Sequence, residues 1–196
     1  MSLVEVAPGL RRWSAWHDHW EEEVGAVAVD TADGLVLIDP IEPPDGLAQP
    51  AHVLFTVYWH ARSGAELAGA RVWAGSRSAQ PLRNRGIGVT DVAAPDGELP
   101  GGIRVFQTAR AAEVAYWLPK QRALVVGDVL LGAGAKPRST DDPRRLCPAG
   151  WLGARTHADL RASLAPLLDL PVERVLPSHG APVLENARAE LAPVLG

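Results

Sequence analysis

The sequence predicts one α+β domain over residues 1–196, a four-layer αββα sandwich in which helices cover the outer faces of two packed sheets. Two observations predict it. A hairpin pattern occurs twice, each time ending in an apolar strand that stops at an aspartate, and amphipathic helix signals follow each copy.

The first hairpin runs from Val24 to Asp30, turns through Ala32-Asp33-Gly34, and returns through Leu35-Val-Leu-Ile to Asp39 and Pro40. The second runs from Glu113 to Leu118, turns through Pro119-Lys120-Gln121, and returns through Ala123-Leu-Val-Val-Gly to Asp128. β-Branched and aromatic residues fill the strands and turn formers separate them. A strand apolar at nearly every position is buried on both faces, so each sheet needs a covering layer on its outer side. The echo of Asp39 and Asp128 suggests an internally duplicated architecture.

The covering helices have their own signals. Ser63-Gly-Ala-Glu66 reads as a capping box opening a short helix to Ala70, then a strand over 71–75 and a second helix over 78–84. Thr156 is placed to cap a helix whose Leu160, Leu164, Leu167 and Leu168 share one face, with Pro171 ending it. A short strand over 172–176 leads into Pro177-Ser178-His179-Gly180, and a last helix is expected over 185–195. The Gly-, Pro- and Asp-rich stretches 94–102 and 132–143 read as loops.

Composition narrows the function classes. Apolar residues make up 47% and charged residues 21%, which argues against disorder. A net charge of −4 gives no basic field for nucleic acid or an anionic membrane, so neither is expected as a partner. No apolar run reaches membrane-spanning length, and Met1 to Arg12 lacks a signal-peptide core. The single cysteine, Cys147, excludes an internal disulfide and a cysteine zinc cluster; it reads as a packing residue, and the expected compartment is the cytoplasm.

Three ordered segments resemble the metallo-β-lactamase superfamily. Gly34-Leu-Val-Leu-Ile-Asp39-Pro40 is similar to its early strand ending in aspartate. Leu124-Val-Val-Gly127-Asp128-Val-Leu-Leu131 resembles the strand that presents the metal-bridging aspartate, and Val175-Leu-Pro-Ser-His179-Gly180 the loop that presents its last histidine. The resemblance runs from about Val4 to Val183 and implies a metallo-hydrolase sandwich. The family motif H-x-H-x-D-H gathers imidazoles and a carboxylate around two metal ions that activate water. The matching stretch here is Thr56-Val57-Tyr58-Trp59-His60-Ala61-Arg62-Ser63, so Val57, Trp59, Ala61 and Arg62 stand at the ligand positions and none of them ligates zinc. The family's next histidine precedes the second hairpin, where this chain reads Phe106 to Val114, with no histidine between His60 and His157. Of the expected ligands only Asp128 and His179 match.

The resemblance therefore implies a dismantled di-metal site with pocket candidates Tyr58, Trp59, His60, Arg62, Asp128 and His179. Metal would normally offset the Asp128 charge; Arg62 is expected to replace it in an Arg62–Asp128–His179 cluster. That cluster either ties loops together or binds a small anionic molecule. His60 sits at a spacer position, yet a one-residue slip brings it beside Asp128 and His179 as a third ligand of a single zinc or other divalent ion. The Trp-rich stretch Trp13 to Trp20 is expected to pack on the sheet or roof a pocket, with Trp59, Trp117 or Trp151 as further wall candidates and Trp73 in the core. Three readings stay open: a catalytically diminished protein that binds a small molecule, a hydrolase of esters, thioesters or lactones with a reduced site, and a structural role. The sequence leaves the oligomeric state undetermined.

Overall fold

Every apolar strand divides its side chains between two cores, and this division builds the layers. In the computed structural model, which describes residues 2–63, 67, 69–95, 97–136 and 144–196, thirteen short strands and three α-helices carry the fold. Strands β1 (Val4–Ala7), β2 (Leu10–His17), β3 (Glu22–Thr31), β4 (Gly34–Ile38), β5 (His52–Phe55), β6 (Arg71–Gly75) and β7 (Asp91–Ala93) form one sheet in sequence order. Strands β8 (Arg104–Gln107), β9 (Val114–Leu118), β10 (Ala123–Val126) and β13 (Arg174–Pro177) form the second, ordered β13-β10-β9-β8. A two-stranded ribbon, β11 (Leu130–Leu131) with β12 (Arg145–Leu146), follows Asp128.

On β4, Val36 and Ile38 point into the core between the sheets, while Leu35 and Leu37 point to its outer face beside Trp13 and Ile41. On β10, Ala123 and Val125 face the inner core, while Leu124 and Val126 face the helices α2 (His157–Leu164) and α3 (Ala187–Leu195). Helix α1 (Ser76–Asn84) covers the outer side of β5 and β6 through Ala79 and Leu82. The αββα sandwich and the two-face burial of both apolar strands follow the sequence reading.

The internal echo is visible in the pairing. β4 is antiparallel to β3 and parallel to β5; β10 is antiparallel to β9 and parallel to β13. Each sheet thus has a hairpin whose second strand pairs in parallel on its far side. Asp39 and Asp128 sit just beyond those second strands.

Some elements depart from expectation. Leu10–His17 is a strand, hidden from pattern reading because Leu10 serves the inner core while Trp13 and Ala15 serve the outer one. The leucine helix stops as an α-helix at Leu164 and continues as a 3-10 turn over Ala165–Asp169, because Pro166 has no N–H to donate. Its Thr156 cap is present, with Asp159 closing the capping box. The helix expected from Ser63 to Ala70 falls on residues 64–66 and 68, which lie outside the described residues; Ser63 Oγ accepts the Glu42 N–H at 2.8 Å. Among the described residues, no helix is long and apolar enough to cross a membrane.

Candidate functional site

His60 joins the two aspartates that end the paired hairpins. A 3-10 turn over Tyr58–His60 follows β5 and aims the His60 ring into the protein, where it is fully buried. Its Nδ1 lies 2.8 Å from Asp39 Oδ2, and its Nε2 lies 3.0 Å from Asp128 Oδ1. His179, on the loop after β13, places Nε2 3.2 Å from the same Asp128 oxygen and Nδ1 3.2 Å from Glu22 Oε2. A carboxylate can only accept, so Asp39 and Glu22 fix a hydrogen on the outer nitrogen of each ring. One ligand atom from each of His60, Asp128 and His179 lies within 4.8 Å of the other two.

The surrounding contacts lock this geometry. Asp39 sits at positive φ in a turn, and its carboxylate accepts from the Thr56 N–H at 2.8 Å, the Thr56 hydroxyl, and Ser178 Oγ at 3.2 Å. The other oxygen of Asp128 accepts from Trp59 Nε1 at 2.6 Å and Arg110 Nη1 at 2.8 Å. Arg110 Nη1 is also 3.3 Å from Glu113 Oε2, and Glu113 Oε1 accepts the Val129 N–H at 2.8 Å. Gly127 is glycine for lack of room: a Cβ there would lie 2.7 Å from Thr56 Oγ1 and 2.8 Å from Glu113 Oε1.

Charge follows contact. Burial opposes ionisation of Asp128, but the facing His60 and His179 hold its carboxyl well below the usual range. Burial likewise opposes ionisation of Asp39, and His60, Arg62 and Thr56 reverse the effect. Burial would neutralise His179, whereas its bonds to Asp128 and Glu22 push it up to about 9. Glu113 goes the other way: burial and then the nearby Asp128 push it up to about 8.

Arg62 is not the cation beside Asp128, contrary to the expected Arg62–Asp128–His179 cluster. Its Nη1 donates to the Gly25 carbonyl at 3.1 Å and the Asp39 carbonyl at 3.2 Å, and its guanidinium lies 5.3 Å from the Trp20 ring. The turn over Tyr58–His60 sends the residue after Ala61 back toward β3. Arg110, from the loop between β8 and β9, takes the position instead. Sequence reasoning passed over it, although that loop is the stretch where the resemblance places a histidine ligand. Glu22, Asp39 and Glu113 were also missed as site partners: Glu22 meets His179 across the two sheets, Asp39 depends on the turn that delivers His60, and Glu113 bonds within its own hairpin to Arg110 and the Val129 N–H.

Above the cluster lies an open cleft of about 540 Å³. Trp20, Trp59 and Trp151 form its apolar walls, Arg110 and Lys136 line it, and Asp128, His179 and Glu22 reach it from below. Of the expected pocket residues, Trp59, Asp128 and His179 line this cleft, His60 lies buried beneath it, and Tyr58 turns away to pack against Arg85, 4.6 Å from ring centroid to guanidinium. Trp117 belongs to the helix-side core, while Trp73 packs in the inner core and donates to His52 at 3.2 Å. His17 stacks on Trp20 at 4.0 Å, which places the end of the Trp-rich segment at the rim of the site, while Trp13 packs on the outer face of the sheet. Cys147 is a buried core thiol, pushed up to about 12 chiefly by burial.

Neither a protein-family model nor a curated protein sequence matches the chain. Solved structures match it along nearly its full length. A metallo-β-lactamase from Pontibacter korlensis is similar at 18% identity and TM-score 0.69, with 99% of this chain and 98% of that one covered. The DIM-1 metallo-β-lactamase gives 15% identity, TM-score 0.72 and coverage of 99% and 96%. The FIM-1 enzyme from Pseudomonas aeruginosa, in its mono-zinc form, gives 16%, 0.68, and 99% and 94%. Identities this low carry the fold alone, and the fold is plain: this chain is a metallo-β-lactamase-type αββα sandwich.

Proposed function

We propose that this protein has a metallo-β-lactamase centre reduced to a single cation position, held by His60, Asp128 and His179, and that it hydrolyses small carbonyl compounds such as esters, thioesters or lactones. The observation that carries this reading is the convergence of two imidazole nitrogens on one oxygen of Asp128, each ring held from behind by its own carboxylate. Ligand atoms about 2.0–2.2 Å from a tetrahedral zinc ion stand roughly 3.4 Å apart. The Nε2-to-oxygen separations of 3.0 and 3.2 Å are close to that spacing. Asp39 and Glu22 behind the rings match the carboxylate–histidine support that orients metal ligands. The donor set therefore fits one divalent ion.

When bound, such an ion supplies Lewis acidity for a carbonyl and for water. The chain's own groups do the rest. His60, Asp128 and His179 would hold the ion and, as three protein ligands, would leave it a coordination position for water or substrate. The indoles of Trp20, Trp59 and Trp151 exclude water from an apolar substrate body. Arg110 and Trp59 hold the outer oxygen of Asp128, fixing the orientation of that carboxylate.

One observation favours a second reading. Arg110, Trp59 and the two imidazoles already satisfy both oxygens of Asp128, so the cluster closes on itself as an ion network, and the protein would then bind small molecules without turnover. A screen of esters, thioesters and lactones with zinc- or manganese-supplied protein separates the two. The hydrolase reading predicts turnover that disappears on chelation and in both His60→Ala and His179→Ala. Binding without turnover in fully loaded protein supports the diminished, non-catalytic reading instead.

A further inference from the structure

The cleft has hydrogen-bond donors to spare, and both oxygens of each acidic group are already engaged. Both oxygens of Asp128 are engaged, Oδ1 by His60 and His179 and Oδ2 by Trp59 and Arg110. Both oxygens of Glu22 are engaged as well: Oε1 accepts the Lys136 N–H at 3.0 Å, and Oε2 faces His179 Nδ1. The cations differ. Only Nη1 of Arg110 is hydrogen-bonded among the described residues, leaving its Nε–Nη2 edge unused while the side chain lines the cleft. Lys136 Nζ makes one long contact to the Trp20 carbonyl at 3.4 Å and lies 3.8 Å from the exposed Glu21.

The free edge of Arg110 also has a fixed position. Its guanidinium lies 4.4 Å from the Trp59 ring centroid and 5.7 Å from that of Trp151, and Nη1 is tied to Asp128 and Glu113. A guanidinium whose Nε–Nη2 edge is free presents two parallel donors at the spacing of two carboxylate oxygens. Little rotamer freedom remains to be lost when a ligand engages it.

We infer that the cleft takes a small molecule with an apolar body and one carboxylate, and that the Nε–Nη2 edge of Arg110 recognises that carboxylate. This rests on the cleft of the reading above but not on a bound metal. Arg110 thereby does two jobs: its inner nitrogen offsets the charge of Asp128, and its outer edge selects the ligand. Arg62, half-buried against Trp20 and outside the cleft lining, takes no part.

The test uses the full chain after chelation, so that no metal can itself bind a carboxylate. Naphthalene-1-carboxylate and its neutral analogue naphthalene-1-methanol are titrated separately by calorimetry and by quenching of tryptophan fluorescence. The carboxylate should bind at least tenfold more tightly than the alcohol. Arg110→Gln should remove that preference, and Arg62→Gln should keep it. Should the glutamine variant fail to fold, Arg110→Lys carries the test: it retains a charge beside Asp128 but offers no fork, and the preference should again collapse. Equal affinity for both probes, no binding of either, or a preference that survives both Arg110 variants overturns the inference. Preference in a protein that never retains metal leaves it standing while the single-metal reading falls; metal retention without preference does the reverse.

Discussion

Asp128 is the residue on which the site turns, because four side chains donate to or face its two oxygens inside a buried shell. A buried carboxylate that loses a cation is penalised, and Arg110 is the guanidinium in contact, beside His179. Arg110→Ala is therefore expected to destabilise the fold by about 2–4 kcal/mol. Arg62→Ala should cost clearly less, because Arg62 bonds only carbonyl oxygens and Asp128 keeps its partner. Urea unfolding of the two variants side by side checks this; equal losses would point back to Arg62. Glu113 gives a prediction with a sign. Its folded value of about 8 lies above its ordinary value of 4.5, so the native chain holds an extra proton between those limits. That contribution is fully present below about pH 4.5 and is lost as pH rises through about 8. Glu113→Gln removes the titration, and the difference between the melting profiles of the two proteins from about pH 5 to about pH 8 isolates it. The variant should gain on the wild type as pH rises; parallel profiles would contradict the assignment.

At the scale of elements, strands set the site's position and loops set its chemistry. Asp128 was legible as a site residue and Asp39 as its structural echo, because each ends a run of apolar residues, a local signal; that Asp39 backs His60 was not. His60 was legible only as an alternative, since the motif spacing places it between ligand positions; the 3-10 turn over Tyr58–His60 is what turns its ring to Asp128. Arg110 and Glu22 were not legible. Neither has a local pattern that announces a partner: Arg110 reaches Asp128 from the loop between β8 and β9, and Glu22 reaches His179 from β3 in the other sheet. The loop carrying His179 is held by backbone contact as well as by side chains. Gly132 N donates to the His179 carbonyl at 2.8 Å, and Gly180 has φ +81, with a Cβ there lying 2.5 Å from the Gly132 carbonyl oxygen. Gly180→Ala is thus predicted to cost more than about 1 kcal/mol and to loosen His179. Chemical denaturation reads the cost, and an unchanged midpoint would show that the loop has room the contact does not suggest.

For the whole molecule, the layers followed from the sequence because burial on two faces leaves its mark on composition: Leu35 to Ile38 and Ala123 to Val126 could only be strands between two cores. Function is less legible, since similar sandwiches tolerate wholesale changes at the loop ends where ligands sit. What the fold does supply is two equivalent strand ends, one from each sheet, brought together so that a single histidine spans them. The central claim is that this junction holds one divalent ion. Metal content per chain, measured by plasma mass spectrometry on tag-free protein prepared with zinc, manganese or iron supplied, tests it most directly. Near one ion per chain, falling to traces in His60→Ala and in His179→Ala, is the predicted result. Traces in the wild type under every condition would contradict it and leave Asp128 held by Arg110, Trp59 and the two imidazoles.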